Sequence, residues 1–498
     1  MATDQSVSTI NLFEHLFVPF NELPINPEHE AEFVKDLEKV LDIAWSERQR
    51  FLPNANLYYQ NNSTTQRFLS LEAGGVRARN WIGTIAFVSS GQSYRLNFLP
   101  KIFATEQSRI TSNFIKSIFL HILWWLSEID REFPMIEASQ DAVESDLLEM
   151  LASVFSKLCL EVYGNGAFVA YEERQLEIST VRGVIETRSY AVNLLSGRAH
   201  ILPCRFDEIS INNRLNRIVK YVATLLVGQV SLSKTQKELD ELLFLLDEVE
   251  LKVMTLEDCD GLAFNPIQED IKRVLDLCRL FLSGSSCFTN TEDFEAFAFI
   301  VPSEKVFEQF LFSILEQSRG TFIENVRKGV PGRQFLAKEM PVGRDCFKME
   351  NDIVVELSIG RTVILDAKYK NLRASNSPSL RLTPDETVGV SQTDIYQMVS
   401  YAVGSGVRNL GLIYPKFAAS HDERKCLSYR VKNALDESLI RIRGVEIDIT
   451  SPKIDVGGPS CSLQELFQET KKRVSEDLVL IVHKVAEEGD RSPWDQLG

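Results

Sequence analysis

No CxxC pair and no Cys/His cluster at zinc spacing occurs in the 498 residues, which excludes a zinc-ribbon or zinc-finger framework. The eight cysteines stand singly, a usage that fits reduced thiols in a cytoplasmic protein. A membrane-spanning run is missing too. The longest apolar stretch, residues 114–126, is interrupted by Lys116 and His121. It falls short of the ~20 apolar residues a bilayer demands and reads as a buried helix. The first twelve residues carry Asp4 and no basic cluster, so no secretory signal is expected. Nor is there a GxxxxGK[ST] nucleotide cradle: Gly164-Asn-Gly166 and Gly404-Ser-Gly406 lack the downstream lysine and read as turns. Basic charge is also scarce, 54 Lys and Arg against 70 Asp and Glu, a net charge of −16. A protein that held DNA by phosphate neutralisation alone would be basic. The balance argues against a stand-alone, non-specific DNA binder. It leaves a nuclease open, because metal-binding carboxylates add negative charge and a partner can supply the grip.

What is present is the composition of a globular chain, 44% hydrophobic and 25% charged, too long for one ordinary core. Residues 67–71, 81–88 and 93–99 cluster β-branched and aromatic side chains between Gly-containing turns and read as strands. Helices are expected over 108–129 and 142–163, then strand character over 166–205 with turns at Arg182-Gly183 and Ser196-Gly197. Leu and Val at three- and four-residue spacing make 213–282 helical. Residues 283–291, with Gly284 and its serines, are the best linker, and a second α/β region follows. No repeat or low-complexity tract stands out. The expectation is an α/β (α+β) protein in two parts, 1–290 and 291–498.

The strongest chemical signal runs from Asp352 through Asp366-Ala-Lys368. Two apolar strands flank Ser358-Ile359-Gly360, a three-residue hairpin loop with glycine at the left-handed position. That loop sets Leu357 against Arg361, and counting back sets Asp352 opposite Asp366. Asp366 and Lys368, two apart, share a strand face. Two carboxylates and an ammonium then converge at one end of a hairpin. Carboxylate oxygens suit Mg²⁺, and a neighbouring lysine can orient a nucleophile or stabilise phosphoryl oxygens. Against this, single Asp and Lys residues at strand ends are usually solvated, and DxK arises by chance in many chains. Two further features fit the same site. Residues 304–317 form an amphipathic helix with Val306, Phe307, Phe310, Leu311 and Ile314 on its apolar side, and Glu308 borders that side as a candidate third carboxylate. Asp394-Ile-Tyr-Gln397-Met-Val-Ser-Tyr401 reads as a helix that puts Gln397 and Tyr401 on one face, placed to position a phosphate or water.

Phe307-Glu308, Asp352, Asp366-Ala-Lys368-Tyr369-Lys370, Asp394-x-Tyr-Gln397-x-x-x-Tyr401-Ala and Leu412-Ile-Tyr414-Pro415 together resemble the McrC family, the nuclease subunits of McrBC restriction systems. Upstream, Leu99-Pro-Lys101-Ile102, Val181-Arg182-Gly183-Val-Ile185, Pro203-Cys204-Arg-Phe-Asp207-Glu208-Ile-Ser210 and Asn216-Arg217 resemble the N-terminal half of those proteins. One departure stands at the first acid, where Asn351 occupies a position that is usually proline; the chain is also longer than many members. The resemblance implies a mixed N-terminal half (1–290) that binds and stimulates a hexameric AAA+ GTPase or ATPase. It implies a C-terminal PD-(D/E)xK nuclease (291–498), an α/β/α sandwich acting on DNA with Mg²⁺ held by Asp352, Asp366 and Glu308, with Lys368, Gln397 and Tyr401 in catalysis. Two other readings remain beside it: a non-catalytic adaptor of a motor, which the intact Asp/Asp/Lys set disfavours, and a self-sufficient repair nuclease, which the acidic charge and large N-terminal half disfavour.

Overall fold

The computed structural model describes residues 7–47, 66–104, 111–130, 147–284 (except 165, 167, 263 and 265–268), 296–329, 335–372, 390–418, 426–432, 439–451 and 463–487. Two compact units form, one of Met1–Leu147 with Gly284–Gly498, the other of Leu148–Ser283. A single break at 290 is therefore not what the chain adopts. The first and last thirds share one unit, and the middle third is inserted between them.

The first unit opens with β1 (Ser8–Phe13), β2 (Phe17–Pro19), α1 (Glu30–Glu47), β3 (Leu69–Glu72), β4 (Gly75–Ala78), β5 (Trp81–Ser89), β6 (Gln92–Leu99) and α2 (Ser112–Ile129). The strands expected at 67–71, 81–88 and 93–99 are β3, β5 and β6. The β1, β6 and β5 strands form a sheet whose inward residues Ile10, Leu12, Ile85, Phe87, Leu96 and Phe98 pack under Phe33, Leu37, Val40 and Leu41 of α1. The expected apolar helix is α2, starting at a Thr111 cap that accepts from the Phe114 N–H. It is buried from Ile115 to Leu126, Lys116 and His121 included.

His121 shows how that burial constrains pH behaviour. Its Nδ1 lies 2.6 Å from the Ser117 carbonyl, and the Ser451 N–H donates to Nε2 at 2.8 Å. Those bonds assign the neutral tautomer. Burial pushes its pKa down to about 4, against the weaker opposite pull of Ser117 and Asp448. The folded protein thus binds fewer protons than the unfolded chain between pH 6.5 and 4. Stability is full above 6.5 and falls as pH drops through that window, by on the order of 3 kcal/mol from this residue. Urea titrations at pH 7 and 4.5 test it: His121→Asn should lose less stability on acidification than wild type. Equal losses would place the acid sensitivity elsewhere.

The inserted unit contains α3 (Leu147–Gly164), β7 (Ala170–Ile178), β8 (Val184–Ile185), α4 (Thr187–Leu195), β9 (Leu202–Ser210), α5 (Arg214–Val227), α6 (Ser233–Leu245) and α7 (Glu269–Gly284). Its sheet has the order β7-β9-β8. The turns at Gly183 and Gly197 are present with positive φ, 69° and 74°. The uniform strand character read over 166–205 is corrected by α4. Val192, Leu194 and Leu195 of that helix are exposed, so it carries no apolar stripe by which periodicity could reveal it. The expected linker at 283–291 lies mostly outside the described residues.

The chain then completes the first sheet. In β10 (Ala296–Pro302), Ala296 pairs with Phe87 and Pro302 with Trp81, giving the order β1-β6-β5-β10. Gly83 permits this approach: its φ is +138°, and a Cβ there would lie 2.0 Å from the Phe299 carbonyl oxygen. Next come α8 (Ser303–Gln317), β11 (Ile323–Arg327), an exposed hairpin of β12 (Phe335–Glu339) and β13 (Arg344–Lys348), β14 (Ile353–Leu357), β15 (Thr362–Ala367), α9 (Gln392–Ser405), β16 (Asn409–Pro415), β17 (Leu427–Lys432), β18 (Leu439–Ile447) and α10 (Leu463–Ala486). A six-stranded mixed sheet runs β11-β14-β15-β16-β18-β17, with β15, β16 and β18 parallel. Its central strands are near-continuous apolar runs because both faces are covered. On one face Val354, Ile364, Leu410, Leu412 and Ile442 meet Met398, Tyr401 and Ala402 of α9. On the other, Gly411 and Leu365 lie beside Val485 of α10, and α8 packs on β15 and β11. Trp124 of α2 stacks on Phe467, ring centres 5.1 Å apart, and meets Phe310 of α8 edge-on. The result is an α/β fold. Among the described residues no helix is long and apolar enough to cross a membrane.

Candidate active site

The β14–β15 hairpin has the register that its loop chemistry requires. Ile353 pairs with Leu365 and Glu356 with Thr362, the Leu357 N–H donates to the Arg361 carbonyl at 2.8 Å, and Gly360 has φ +73°. Asp352 therefore stands across from Asp366, and its Oδ2 accepts the Ala367 N–H at 2.9 Å. Lys368 leaves the end of β15 on the same side, its Nζ 2.6 Å from Asp366 Oδ2.

The third layer is α9. Its Ser391–Asp394 capping box starts the helix and Gly406, with φ +78°, ends it. Four-residue spacing puts Gln397 and Tyr401 one above the other. Lys368 Nζ donates to Gln397 Oε1 at 2.8 Å, Gln397 Nε2 donates to the Tyr401 hydroxyl oxygen at 2.6 Å, and that hydroxyl donates to the Glu350 carbonyl at 2.8 Å. The chain of bonds holds the ammonium in one place. If the site cleaves DNA as the sequence leads one to expect, Gln397→Ala should slow cleavage about 10-fold and Lys368→Ala far more, because a neutral positioning group acts only through the charge it holds. Turnover rates of the two variants compared side by side check this, and equal losses would give Gln397 a direct chemical role.

Glu308 lies on α8 and is buried. Its carboxylate is paired with Lys305, one turn back, and with Lys328 Nζ at 3.3 Å. A cavity of about 590 Å³ is lined by Glu308, Asp352, Asp366, Lys368, Gln397 and Tyr401 together. All six candidate residues thus share one cavity, whose wall also includes Lys305, Lys348, Lys370 and Tyr369. Those four were not singled out as site residues from sequence. Lys370 had a signal, since it continues the alternation of Asp366 and Lys368; it pairs with Asp394.

Electrostatically the site is loaded for a cation. Burial pushes Asp352 up to about 8, with the like charges of Asp366 and Glu308 adding to the rise. Burial likewise raises Asp366 against the opposing pull of Lys368. Neither Asp366 oxygen receives an aligned hydrogen bond; the Lys368 contact is an ion pair. Burial alone would lower Lys368, but Asp366 outweighs it and holds the amine charged above its usual range. Burial keeps the Tyr401 phenol protonated. Two desolvated, mutually repelling carboxylates, one of them with neither oxygen in an aligned hydrogen bond, fit a hard divalent ion. Among the described residues no three His, Cys, Asp or Glu side chains converge as a cage, and Mg²⁺ characteristically takes one or two carboxylates and keeps its waters. Asn351, in place of the family proline, is buried with neither side-chain polar atom bonded.

The family described as McrBC 5-methylcytosine restriction system component matches residues 76–415. The chain belongs to that family. The McrBC match runs from β4 to β16 and takes in the inserted unit and all six candidate residues. No curated protein sequence matches the chain. Among solved structures, it is similar to a chain of the refined half-complex from the tetradecameric assembly of Thermococcus gammatolerans McrB AAA+ hexamers with bound McrC. There the TM-score is 0.65 at 17% identity, covering 95% of this chain and 100% of the other. A chain of the Thermococcus gammatolerans McrBC complex determined by cryo-EM aligns at TM-score 0.47 and 18% identity, covering 62% of this chain and 88% of that one. At 17% identity the likeness to the half-complex chain is one of fold.

Proposed function

We propose that this chain is the nuclease subunit of a restriction complex: a Mg²⁺-dependent DNA endonuclease of PD-(D/E)xK type that works with, and stimulates, an AAA+ NTPase partner. The observation that carries the reading is the convergence of Asp352, Asp366 and Lys368 at one end of the β14–β15 hairpin, inside a cavity of about 590 Å³. Asp352 and Asp366 would hold the ion, with Glu308 bordering it as a third acid. Bound there, Mg²⁺ supplies Lewis acidity towards water and the phosphate. The chain's own residues do the rest. Lys368, kept cationic by Asp366 and aimed by Gln397, stabilises the phosphoryl oxygens as charge builds on them. Tyr401 fixes Gln397 and stays a hydrogen-bond donor. The separate motor is supported by the fold likeness to a complex of McrB hexamers with bound McrC and by family membership. A partner of that kind also fits the charge of −16, since it can provide the DNA grip this chain lacks.

The test is plasmid cleavage by the purified full chain, with Mg²⁺ or EDTA, with and without an AAA+ partner of McrB type. Nicks or breaks that need Mg²⁺ and increase with the partner support the proposal. Stimulated NTP hydrolysis with intact plasmid would make the chain an adaptor.

A further inference from the structure

Lys101, in the Leu99-Pro-Lys101-Ile102 motif, has no part in the chemistry above, yet it is buried in the same unit. Its Nζ sits 4.6 Å from the centre of the Tyr369 ring and 3.3 Å from Asn80 Oδ1. Its backbone N–H donates to Glu14 Oε2 at 2.9 Å. Glu14 is fully buried, and it also accepts from the Ser303 hydroxyl and the Tyr369 hydroxyl. The Tyr369 oxygen in turn accepts the Ile102 N–H. Ser303 is the first residue of α8, which carries Glu308; Tyr369 directly follows Lys368. One carboxylate from the N-terminal sheet therefore ties down the start of the helix and the exit of the strand that frame the cavity.

Burying a glutamate and a lysine is costly, and an apolar replacement of the same shape often stabilises a fold as well or better. Burial pushes Glu14 up to about 7 even with Lys101 beside it, so the arrangement is not the cheapest way to fill that space. Its location is informative instead. We propose, building on the nuclease reading, that Glu14, Lys101 and Tyr369 form a positioning network that fixes the backbone after β15, keeping Lys368 against Asp366 and Gln397. The N-terminal strands are thereby part of the nuclease site, acting through Lys368 rather than on DNA.

Tyr369→Phe tests this most cleanly, because it keeps the ring that packs on Phe307 and Lys101 and deletes only the hydroxyl. Two readouts are taken on the full chain. The first is competitive acetylation of Lys368, resolved by peptide mass spectrometry, with exposed Lys338 as reference; it needs no cleavage activity. The second is the turnover and KM of Mg²⁺-dependent plasmid cleavage with the partner present. In a Tyr369→Phe protein that melts as wild type does, Lys368 should acetylate several-fold faster relative to Lys338. Turnover should fall about 10-fold with KM for DNA unchanged, as expected for a misplaced catalytic group. Glu14→Gln, which keeps an oxygen for Tyr369 and Lys101 to donate to, should show smaller changes in the same direction. Wild-type protein that never cuts DNA would sink the nuclease reading alone, leaving acetylation to decide the network. Unchanged Lys368 labelling in folded Tyr369→Phe would overturn the network, whatever the cleavage result, as would a loss expressed only in KM.

Discussion

If the proposed nuclease reading holds, Lys368→Ala and Asp366→Asn should each reduce DNA cleavage to about one-thousandth of the wild-type rate or less, while folding and partner binding persist. The size follows from removing a charge that acts on the transition state in a desolvated site, typically worth ~10²–10³ or more. Lys368 Nζ is the cation 2.6 Å from Asp366, while Lys370, next in that alternation, is engaged by Asp394. For Asp366→Asn the loss should come with weaker Mg²⁺ affinity, since one of the two proposed charged ligands would be gone. The same substitution should not destabilise the metal-free protein. Burial of Asp366, with the repulsion of Asp394 and Glu308 added, outweighs its ion pair with Lys368, so neutralising it relieves strain in the apo state. Cleavage rates and thermal melting in EDTA, measured together, check both halves. Either variant cutting at the wild-type rate would remove the residue from the site.

Residues 291–498 expressed alone should not fold stably or cut DNA. The sequence division made them a complete domain; the structure does not. β10 finds its partner in β5, and Ile300 is buried among residues of the N-terminal strands and α1. Phe310 and Phe467 pack on Trp124, and Ser313 donates to the Glu128 carbonyl. Uncovering three such side chains forfeits roughly 2 kcal/mol each, against a total stability of only ~5–15 kcal/mol for an ordinary domain. Circular dichroism melting of the fragment should show no cooperative transition, and cleavage should be absent. A fragment that melts cooperatively and cuts with Mg²⁺ would show that the first 147 residues are dispensable. By the same reasoning a fragment of 1–290 lacks β10, the edge strand of its own first sheet.

The site was far more legible than the architecture around it. A three-residue loop ending in Gly360 fixes hairpin register, and register alone brings Asp352 opposite Asp366, so local chemistry sufficed. Gln397 and Tyr401 were readable because four-residue spacing on a helix is a local rule. Glu308 was placed on the border of an apolar stripe; α8 is instead buried nearly all round, between the sheet and α2, which a single amphipathic pattern does not reveal. The partition of the chain was least legible. Insertion of residues 148–283 between β6 and β10 leaves no local mark, because strand pairing across some two hundred residues depends on tertiary contacts and not on spacing. The role of Lys101 was hidden for the same reason: its partners Glu14 and Tyr369 lie far away in sequence.

The proposed chemistry turns on a divalent cation held by Asp352 and Asp366. Diffraction from crystals soaked in Mn²⁺, collected for anomalous signal, tests it directly. An anomalous peak is expected within about 2.3 Å of a carboxylate oxygen of each residue, on the cavity side of the hairpin beside Lys368, and should be lost in Asp366→Asn. Mn²⁺ bound elsewhere on the protein, with no peak between those two carboxylates, would contradict it.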